Sequence, residues 1–424
     1  MAREGRHKGW WRGSSRDRTA DRAAPAIDRA APLADAVPPA AADAPALRIV
    51  GVDPERGFAG GESQVLGLTL ALIRAGHRAE LICDPAGALW PRARAVGVAC
   101  YPLRIRNSVD AVAGLKLRRY LARNRYDVVH FHTSRAHALA PFAQGRAGVL
   151  VVTRRMDYAP NRMFAPWLFN RAVDGVAAIS PAVADALVRS GAARDRVAII
   201  PSGVDGERFR PPDTAERERV RSELGLAARD IAVGSVGLLE PRKGQRYLIE
   251  AMGLLRSGDA AGVAVAARAQ VRCFIAGAGA LADPMVAEIR TRRLGESIRM
   301  MGLIDDSRML LWALDIFAMP SLQEGLGVAA LEAMACGLPV IASATGGLVD
   351  SVQDGVTGIH VPVGDARALA NAIARLAASS ELRVAMGAAG RDRVVANFAI
   401  EAMARGTLEL YRACLQNRAR GRRQ

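Results

Sequence analysis

Two glutamates, Glu324 and Glu332, flank a short glycine-containing stretch of the sequence. This stretch begins with Gly325, Leu326, Gly327 and Val328. It lies at the predicted start of a helix, where bare backbone amides bind phosphate. Glu324 would then lie just before the helix, beside a group attached to the phosphates, and Glu332 about two turns along it, where a carboxylate can accept hydrogen bonds from ribose hydroxyls. On spacing alone, an amphipathic surface helix with two solvated glutamates is an equally good interpretation.

Two cations, Arg242 and Lys243, precede a helical pattern in the second half of the chain. The beginning of a helix is electrostatically unfavourable for a cation. An anionic ligand nearby would explain this position, because a fixed cation stabilises the negative charge that builds on a departing phosphate. The alternative interpretation is an ordinary basic start of a helix.

Two further glycine pairs follow predicted strands. Gly60 and Gly61 come after the first strand and open a predicted helix, so their amides are placed to contact a diphosphate. Gly277 and Gly279 follow a later strand and form a fragment of a nucleotide-binding turn. Taken alone, each pair is better explained by a tight turn or by packing at a strand end.

Three histidines, His130, His132 and His137, lie at or just after the end of a predicted strand. His130 and His132 are two residues apart and therefore project to the same side. Two alternatives stay open: His130 is a packed strand-end residue, or the three histidines form a metal site. No acidic or cysteine ligand accompanies them, so a metal site is not expected.

Alternating apolar runs and helical patterns must position these residues. The predicted buried strands cover residues 47–52, 79–83, 128–132, 149–152, 175–179, 231–236, 272–276, 315–319 and 339–342. This alternation predicts an α/β fold of two doubly wound, Rossmann-like domains facing each other across a cleft. Ligands of such sheets bind beyond the carboxyl ends of the strands, so the cleft is the expected site.

The stretch from Glu324 to Glu332, with its neighbours, resembles the donor-binding signature of family 4 glycosyltransferases, which are retaining enzymes with the GT-B fold. The resemblance extends in order over nearly all of residues 47–412. The other matching segments are Gly60-Gly61-Glu62, Val129-His130-Phe131-His132, residues 199–205, Arg242-Lys243-Gly244-Gln245 and residues 354–358. One departure is Leu238, where the family often has an arginine, and Arg242 is a candidate to supply that charge.

The resemblance implies that the chain moves a sugar from a nucleotide diphosphate sugar to an acceptor. Glu324 and His132 would hold the sugar, and Glu332 would hold the ribose. Lys243 and Arg242 would stabilise the departing diphosphate. A nucleotide-sugar epimerase, which can share the two-domain shape, is the alternative within the enzyme class.

In similar proteins the loop with Leu303 and Ile304 and the turn with Gly277 and Gly279 bracket the base. The resemblance also implies a metal-independent mechanism, and the sequence contains no Asp-x-Asp motif. Neither a metal nor another cofactor is therefore expected.

The sequence divides into five segments. Residues 1–45 lack apolar periodicity and are predicted to be a disordered extension. Residues 46–205 would bind the acceptor and residues 206–395 the nucleotide sugar, with a cluster of turn-forming residues between them. As in similar proteins, a helix in residues 396–415 is expected to pack back on the first domain. Residues 416–424 form a basic tail.

The positive charge is unevenly distributed along the chain. The net charge is +16, and residues 46–205 contain 22 basic and 12 acidic residues, whereas residues 206–415 contain 24 of each. A protein that binds nucleic acid, the alternative from a different class, would need a basic stripe across both domains. The distribution predicts instead an anionic lipid-linked or saccharide acceptor, such as a lipopolysaccharide precursor or a phosphoglycolipid, and no nucleic acid.

A basic segment, Lys116 to Arg125, combines five cations with apolar residues at helical spacing. It is suited to an anionic membrane surface, as are the aromatic residues within 163–169. A solvated basic helix that covers the domain core is an equally good interpretation of this segment. No signal-peptide pattern or membrane-spanning run is recognisable, and the five cysteines are scattered. The sequence therefore predicts a cytoplasmic protein that binds peripherally to the inner face of the plasma membrane.

Overall fold

The computed structural model describes residues 45–158, 160, 162–258 and 271–421. The predicted extension at residues 1–45, except its last residue, lies outside this part, as do residues 422–424. The described chain forms two parallel sheets with helices on their faces. The predicted α/β fold with two Rossmann-like domains is thereby confirmed.

The first sheet has seven parallel strands within the described residues, in the order β3-β2-β1-β4-β5-β6-β7. They are β1 (Arg48–Asp53), β2 (Arg78–Cys83), β3 (Cys100–Pro102), β4 (Tyr126–Phe131), β5 (Ala147–Arg154), β6 (Gly175–Ala178) and β7 (Val197–Ile199). The central strands are apolar along their length because helices cover both faces. The carboxyl ends of β1, β4 and β5 lie side by side.

The second sheet has six parallel strands in the described chain, in the order β10-β9-β8-β11-β12-β13. They are β8 (Ile231–Val236), β9 (Val271–Ala276), β10 (Ile298–Gly302), β11 (Ile316–Met319), β12 (Val340–Ser343) and β13 (Gly358–Val361). β8 and β11 occupy its centre, and the loops that follow them approach the first domain.

The α-helices of the first domain are α1 (Gly60–Arg74), α2 (Leu89–Ala95), α3 (Ala111–Asn124), α4 (Ser134–His137), α5 (Ala140–Ala143), α6 (Ala165–Trp167) and α7 (Pro181–Arg189). Those that follow are α8 (Thr214–Glu223), α9 (Gln245–Ser257), α10 (Ala282–Thr291), α11 (Ser307–Ala313), α12 (Val328–Ala335), α13 (Leu348–Ser351), α14 (Ala366–Ala378), α15 (Ser380–Asn397) and α16 (Ile400–Gly421). A π-helical turn spans Leu168–Ala172, and 3₁₀ turns span Arg194–Arg196 and Pro241–Lys243.

The chain crosses between the two domains at two neighbouring points. The Val204 amide donates a hydrogen bond to the Phe398 carbonyl at 2.7 Å, and the Ile400 amide donates to the Val204 carbonyl at 3.0 Å. The Gln64 side chain of α1 hydrogen-bonds both the amide and the carbonyl of Gly203, at 2.9 and 2.8 Å. The beginning of α1 is thus tied to the crossover.

The last helix, α16, packs on the first sheet. Its apolar side chains, among them Met403, Leu408 and Tyr411, share one buried cluster with Val128 and Val149 of that sheet. The helix runs to Gly421, so residues 416–421 of the predicted basic tail are helical. No proline or glycine interrupts the chain between 415 and 420.

Candidate functional site

The segment between β11 and α12 is a loop and not the first turn of a helix. α12 begins at Val328, with Gly327 as its N-cap residue at φ +87°. The predicted start at Gly325 is therefore wrong. The Gly325 carbonyl instead accepts a hydrogen bond from the Ser180 hydroxyl of the first domain at 2.7 Å. Glu332 is the fifth residue of α12, about one turn from its start instead of two.

Lys243 and Glu324 form an ion pair in the cleft. The Lys243 ammonium donates to the Glu324 carboxylate at 2.5 Å, and the two side chains are only 14% and 11% exposed. The Ser321 hydroxyl donates to the same carboxylate oxygen at 3.3 Å. Salt screens a partly buried pair less than a surface pair. The fold thus brings together two residues that the sequence analysis assigned to the donor.

Backbone contacts fix the turn that carries Lys243. The Arg242 carbonyl accepts a hydrogen bond from the Leu322 amide at 2.8 Å. Gly244 has φ +63°, and a β-carbon there would lie 1.9 Å from the Pro320 carbonyl oxygen, so only glycine fits. Lys243 is therefore held against the loop that contains Glu324.

The Arg242 side chain pairs with Glu240, whose carboxylate accepts a hydrogen bond from Nε at 3.0 Å. Leu238, at the position where the family often has arginine, is 37% exposed. The interpretation that Arg242 supplies the missing charge stays a prediction.

A second loop, after β12, supports Glu324 from the other side. The Gly347 amide donates to the Glu324 carbonyl at 2.9 Å. A β-carbon on Gly346 would lie 2.1 Å from the Glu324 carbonyl oxygen, and one on Gly347 would lie 2.1 Å from that of Gly325. The Gly346-Gly347 pair therefore permits a main-chain contact that no larger residue allows.

Glu332 lies beside α11 and the loop after β10. Burial raises the pKa of Glu332 to about 7, and the Arg208 charge and a hydrogen bond with Ser307 oppose this rise. Near neutral pH this carboxyl group is available both to donate and to accept hydrogen bonds. In the same loop Leu303 is 74% exposed and Ile304 is half-buried.

Gly277 and Gly279 pack directly on the loop after β8. A β-carbon on Gly277 would lie 1.8 Å from the Gly237 carbonyl oxygen, and one on Gly279 would lie 2.4 Å from that of Leu239. The Leu239 amide also donates to the Ala278 carbonyl at 3.0 Å. Close packing of two loops thus accounts for both glycines.

The N-terminus of α1 meets the N-terminus of α12. α1 begins at Gly60, and the Glu62 carboxylate caps it by accepting a hydrogen bond from the Ala59 amide at 2.7 Å. A β-carbon on Gly60 would lie 3.8 Å from the Val328 Cβ, whereas one on Gly61 would contact nothing within 4 Å. The two helix N-termini therefore lie next to each other, and each carries the partial positive charge that favours an anion.

The three histidines are buried in the first domain. His130 hydrogen-bonds the Tyr411 hydroxyl through Nδ1 and the Thr153 hydroxyl through Nε2, both at 2.6 Å, so it is a packed residue. The ring centroids of His130 and His132 lie 4.0 Å apart, and the two side chains project to the same side, as predicted. His137 Nε2 lies 3.1 Å from the Thr153 carbonyl oxygen. Over the described residues, no three or more His, Cys, Asp or Glu side chains are grouped to hold a metal.

Burial keeps these histidines neutral. It lowers the pKa of His130 and of His137 to about 3, and it lowers the pKa of His132 well below the ordinary value. Neutral imidazoles can serve as hydrogen-bond donors and acceptors but do not add charge to the site.

Two residues that follow β5, Arg155 and Asp157, were not predicted from the sequence. A β-carbon on Gly325 would lie 2.2 Å from the Arg155 carbonyl oxygen, so the two domains touch here. Burial raises the pKa of Asp157; the Glu324 charge adds to this rise and the Arg242 charge opposes it. Their position beyond the carboxyl end of a central strand was the available signal.

The basic segment forms helix α3, capped by the Asp110 side chain, which accepts from the Ala113 amide at 3.0 Å. Its outer face exposes Val112 and Leu115 beside cations such as Lys116. Of the helices in the described ranges, none has the length and apolar character needed to cross a bilayer.

Two doubly wound, Rossmann-like domains are the architecture of the GT-B fold. The structure is similar to that of Anabaena HepE in complex with UDP and glucose, with a TM-score of 0.75 and 21% identity over 86% of this chain and 98% of that one. The model of the family described as "Glycosyltransferase Family 4" matches residues 58–208, and that of "Glycosyl transferases group 1" matches residues 216–393.

Curated relatives agree with these matches. The D-inositol 3-phosphate glycosyltransferase of Salinispora arenicola is 33% identical over 69% of this chain and 65% of its own length. The alpha-maltose-1-phosphate synthase of Mycolicibacterium smegmatis is 32% identical over 69% of this chain and 75% of its own length. The chain belongs to the family 4 type of glycosyltransferases. It spans slightly less than two thirds of the length of the first of these relatives.

Proposed function

We propose that the protein transfers a sugar from a nucleotide diphosphate sugar to an acceptor, with retention of configuration at the anomeric carbon. The observation that carries the proposal is the Lys243–Glu324 ion pair, beside the point where the N-termini of α1 and α12 meet. Phosphate oxygens bind at such N-termini. A lysine next to them stabilises the charge that develops as the diphosphate leaves.

In this proposal Lys243 moves its hydrogen bond from Glu324 to the diphosphate, which frees the Glu324 carboxylate to hold the sugar. His132 contacts the same sugar from the first domain. Glu332 holds the ribose hydroxyls, for which a carboxyl with a pKa of about 7 is suited. Leu303 and Ile304 lie against the base. Because Lys243 and two helix N-termini supply the positive charge, no metal is required.

The first prediction concerns the donor. A panel of UDP-, GDP- and ADP-sugars should include one that stabilises the folded protein against heat, by about 2.7 kcal/mol at 100 times its dissociation constant. Differential scanning fluorimetry measures this stabilisation as a rise in Tm, and EDTA should leave the rise unchanged. The fold of Anabaena HepE with UDP and UDP-glucose makes UDP-glucose the first compound to test.

Incubation of the stabilising donor without acceptor separates the alternatives. A transferase gives slow release of nucleoside diphosphate and free sugar, whereas an epimerase gives an isomeric nucleotide sugar. If no member of the panel stabilises the protein, or if an isomer accumulates, the proposal is wrong.

For the acceptor we propose an anionic molecule, such as a lipopolysaccharide precursor or a phosphoglycolipid, at an anionic membrane surface. The 22 basic residues against 12 acidic ones in residues 46–205 support this. Two of the relatives are also named for phosphorylated molecules, D-inositol 3-phosphate and maltose-1-phosphate. Helix α3 offers exposed apolar and basic side chains together, as interfacial helices do.

The second prediction concerns this surface. The protein should bind vesicles that contain phosphatidylglycerol but not pure phosphatidylcholine vesicles, and salt should weaken the binding. Changing Lys116→Glu and Arg119→Glu together should lower the partition coefficient about tenfold or more, at about 1 kcal/mol per cation. A matched control, Arg290→Glu with Arg375→Glu in the second domain, should change it little in a flotation assay. Equal losses in both variants would contradict the assignment to α3.

A further inference from the structure

Arg92, on helix α2 of the first domain, lies against the loop of the second domain that is proposed to hold the base. Its guanidinium is 3.8 Å from the Asp305 carboxylate, and the two side chains are 40% and 98% exposed. Asp305 lies in the loop between β10 and α11, directly after Leu303 and Ile304. An ion pair this exposed contributes little to stability. Its significance is that it places a first-domain cation beside the base loop.

Phe58 supports Arg92 within the first domain. The guanidinium carbon of Arg92 lies 4.4 Å from the centroid of the Phe58 ring, a distance typical of a cation–π contact. Arg92 Nη1 also donates a hydrogen bond to the Ala88 carbonyl, one turn earlier in the chain, at 3.1 Å. The guanidinium is thus anchored at two points. Because the side chain is still 40% exposed, it has surface left for a second planar group.

The start of α2 is held against the loop between β1 and α1. A β-carbon on Gly87 would lie 2.7 Å from the Glu55 carbonyl oxygen, so the two segments are in direct backbone contact. Phe58 lies in the same loop, two residues before Gly60, the first residue of α1. The pair formed by Phe58 and Arg92 is therefore fixed relative to the helix N-terminus that is proposed to contact the diphosphate.

The chemistry of Arg92 favours a planar aromatic ligand at this position. A guanidinium is weakly hydrated and stacks on aromatic faces, and proteins use arginine in this way on nucleobases. In the proposed transfer the base lies against Leu303, which is 74% exposed, and against Ile304. Since Asp305 is the next residue and lies beside Arg92, a base held on this loop is within reach of the guanidinium.

We propose that Arg92 stacks on the base of the donor nucleotide and so determines how tightly the nucleotide binds. This inference rests on the proposed glycosyl transfer and adds a residue to its donor site. Phe58 supports the guanidinium from the first domain, and Asp305 attracts it toward the base loop. The first domain then contacts the donor at two places, at the diphosphate through the N-terminus of α1 and at the base through Arg92.

Isothermal titration calorimetry of the full chain with UDP, GDP and ADP tests this inference. Arg92→Ala should weaken the binding of the tightest of these nucleotides about tenfold, the effect of removing one stacking partner from a base. Arg92→Lys should lose nearly as much, because an ammonium group keeps the charge but has no plane with which to stack.

Arg94→Ala is the matched control for Arg92→Ala. Arg94 is on the same helix and also lies over an aromatic ring, with its guanidinium carbon 5.7 Å from the Trp90 centroid. Because its ring partner belongs to α2 itself, the substitution removes a similar contact without touching the proposed base site. Nucleotide binding should therefore stay unchanged.

The outcomes separate this inference from the proposed transfer. Undiminished nucleotide binding in Arg92→Ala, or an equal loss in Arg94→Ala, overturns the role of Arg92 and leaves the transfer in place. Full binding in Arg92→Lys assigns the effect to charge and overturns stacking on the base. If none of the three nucleotides binds the unchanged protein, both proposals are wrong. Should Arg92→Ala fail to fold, Arg92→Lys alone decides.

Discussion

Replacing Glu324 by glutamine should reduce sugar transfer about 100-fold or more, the effect of removing one preorganised electrostatic contact from a transition state. The neutral amide cannot form an ion pair with the Lys243 ammonium, and it offers the sugar no negative charge. Lys243→Ala should have a similar effect, because the charge on the departing diphosphate loses its stabilising cation. The measurement is the initial rate of nucleoside diphosphate release at saturating donor.

The two residues should act as a unit. The double variant Glu324→Gln with Lys243→Ala is expected to be little slower than either single variant, since coupled residues are not additive. Glu223→Gln is the matched control, because it breaks a surface pair with Arg219 whose side chains are 56% and 54% exposed. That pair should contribute less than about 1 kcal/mol to stability and nothing to the rate. A folded Glu324→Gln protein with near-normal turnover would contradict the site.

Gly325→Ala should separate the donor loop from the first domain. The new β-carbon would lie 2.2 Å from the Arg155 carbonyl oxygen, far inside van der Waals contact, so closure of the cleft is blocked. A misplacement of about 1 Å can cost about 100-fold in rate, because orientation in the closed site is lost. Donor binding to the second domain should fall less, so kcat should fall more than the donor affinity.

Gly295→Ala serves as the control for Gly325→Ala. A β-carbon on Gly295, in the same domain, would contact nothing within 4 Å. Its stability and rate should stay near those of the unchanged protein. If Gly325→Ala retained full kcat while folded, the contact between the donor loop and Arg155 would have no role in transfer.

Apolar runs predicted the central strands because each must be buried on both faces. The strands for which no range was predicted, β3, β7, β10 and β13, have three to five residues and lie at sheet edges. An edge strand pairs on one side only and needs no long apolar run. The start of α12 was misplaced for another reason: the contact of Gly325 with Ser180 is a tertiary feature with no local signal.

The sequence predicted which residues form the candidate site better than it predicted how these residues are arranged. The resemblance to family 4 glycosyltransferases assigned both Glu324 and Lys243 to the donor. No local pattern predicts, however, that residues 81 positions apart form an ion pair. Arg155 and Asp157 were not predicted, because they reach the loop of Glu324 only through the packing of one domain on the other. Which residues of one domain meet the other is set by the whole fold.

A crystal structure of the protein with its intact donor tests the central claim most directly. We expect the diphosphate between the N-termini of α1 and α12, with oxygens about 3 Å from the Val328 amide and from Lys243 Nζ, and with the sugar against Glu324. The Lys243 ammonium should donate its hydrogen bond to a phosphate oxygen and no longer to Glu324. A diphosphate bound elsewhere on the second domain, with the Lys243–Glu324 pair intact, would contradict the account.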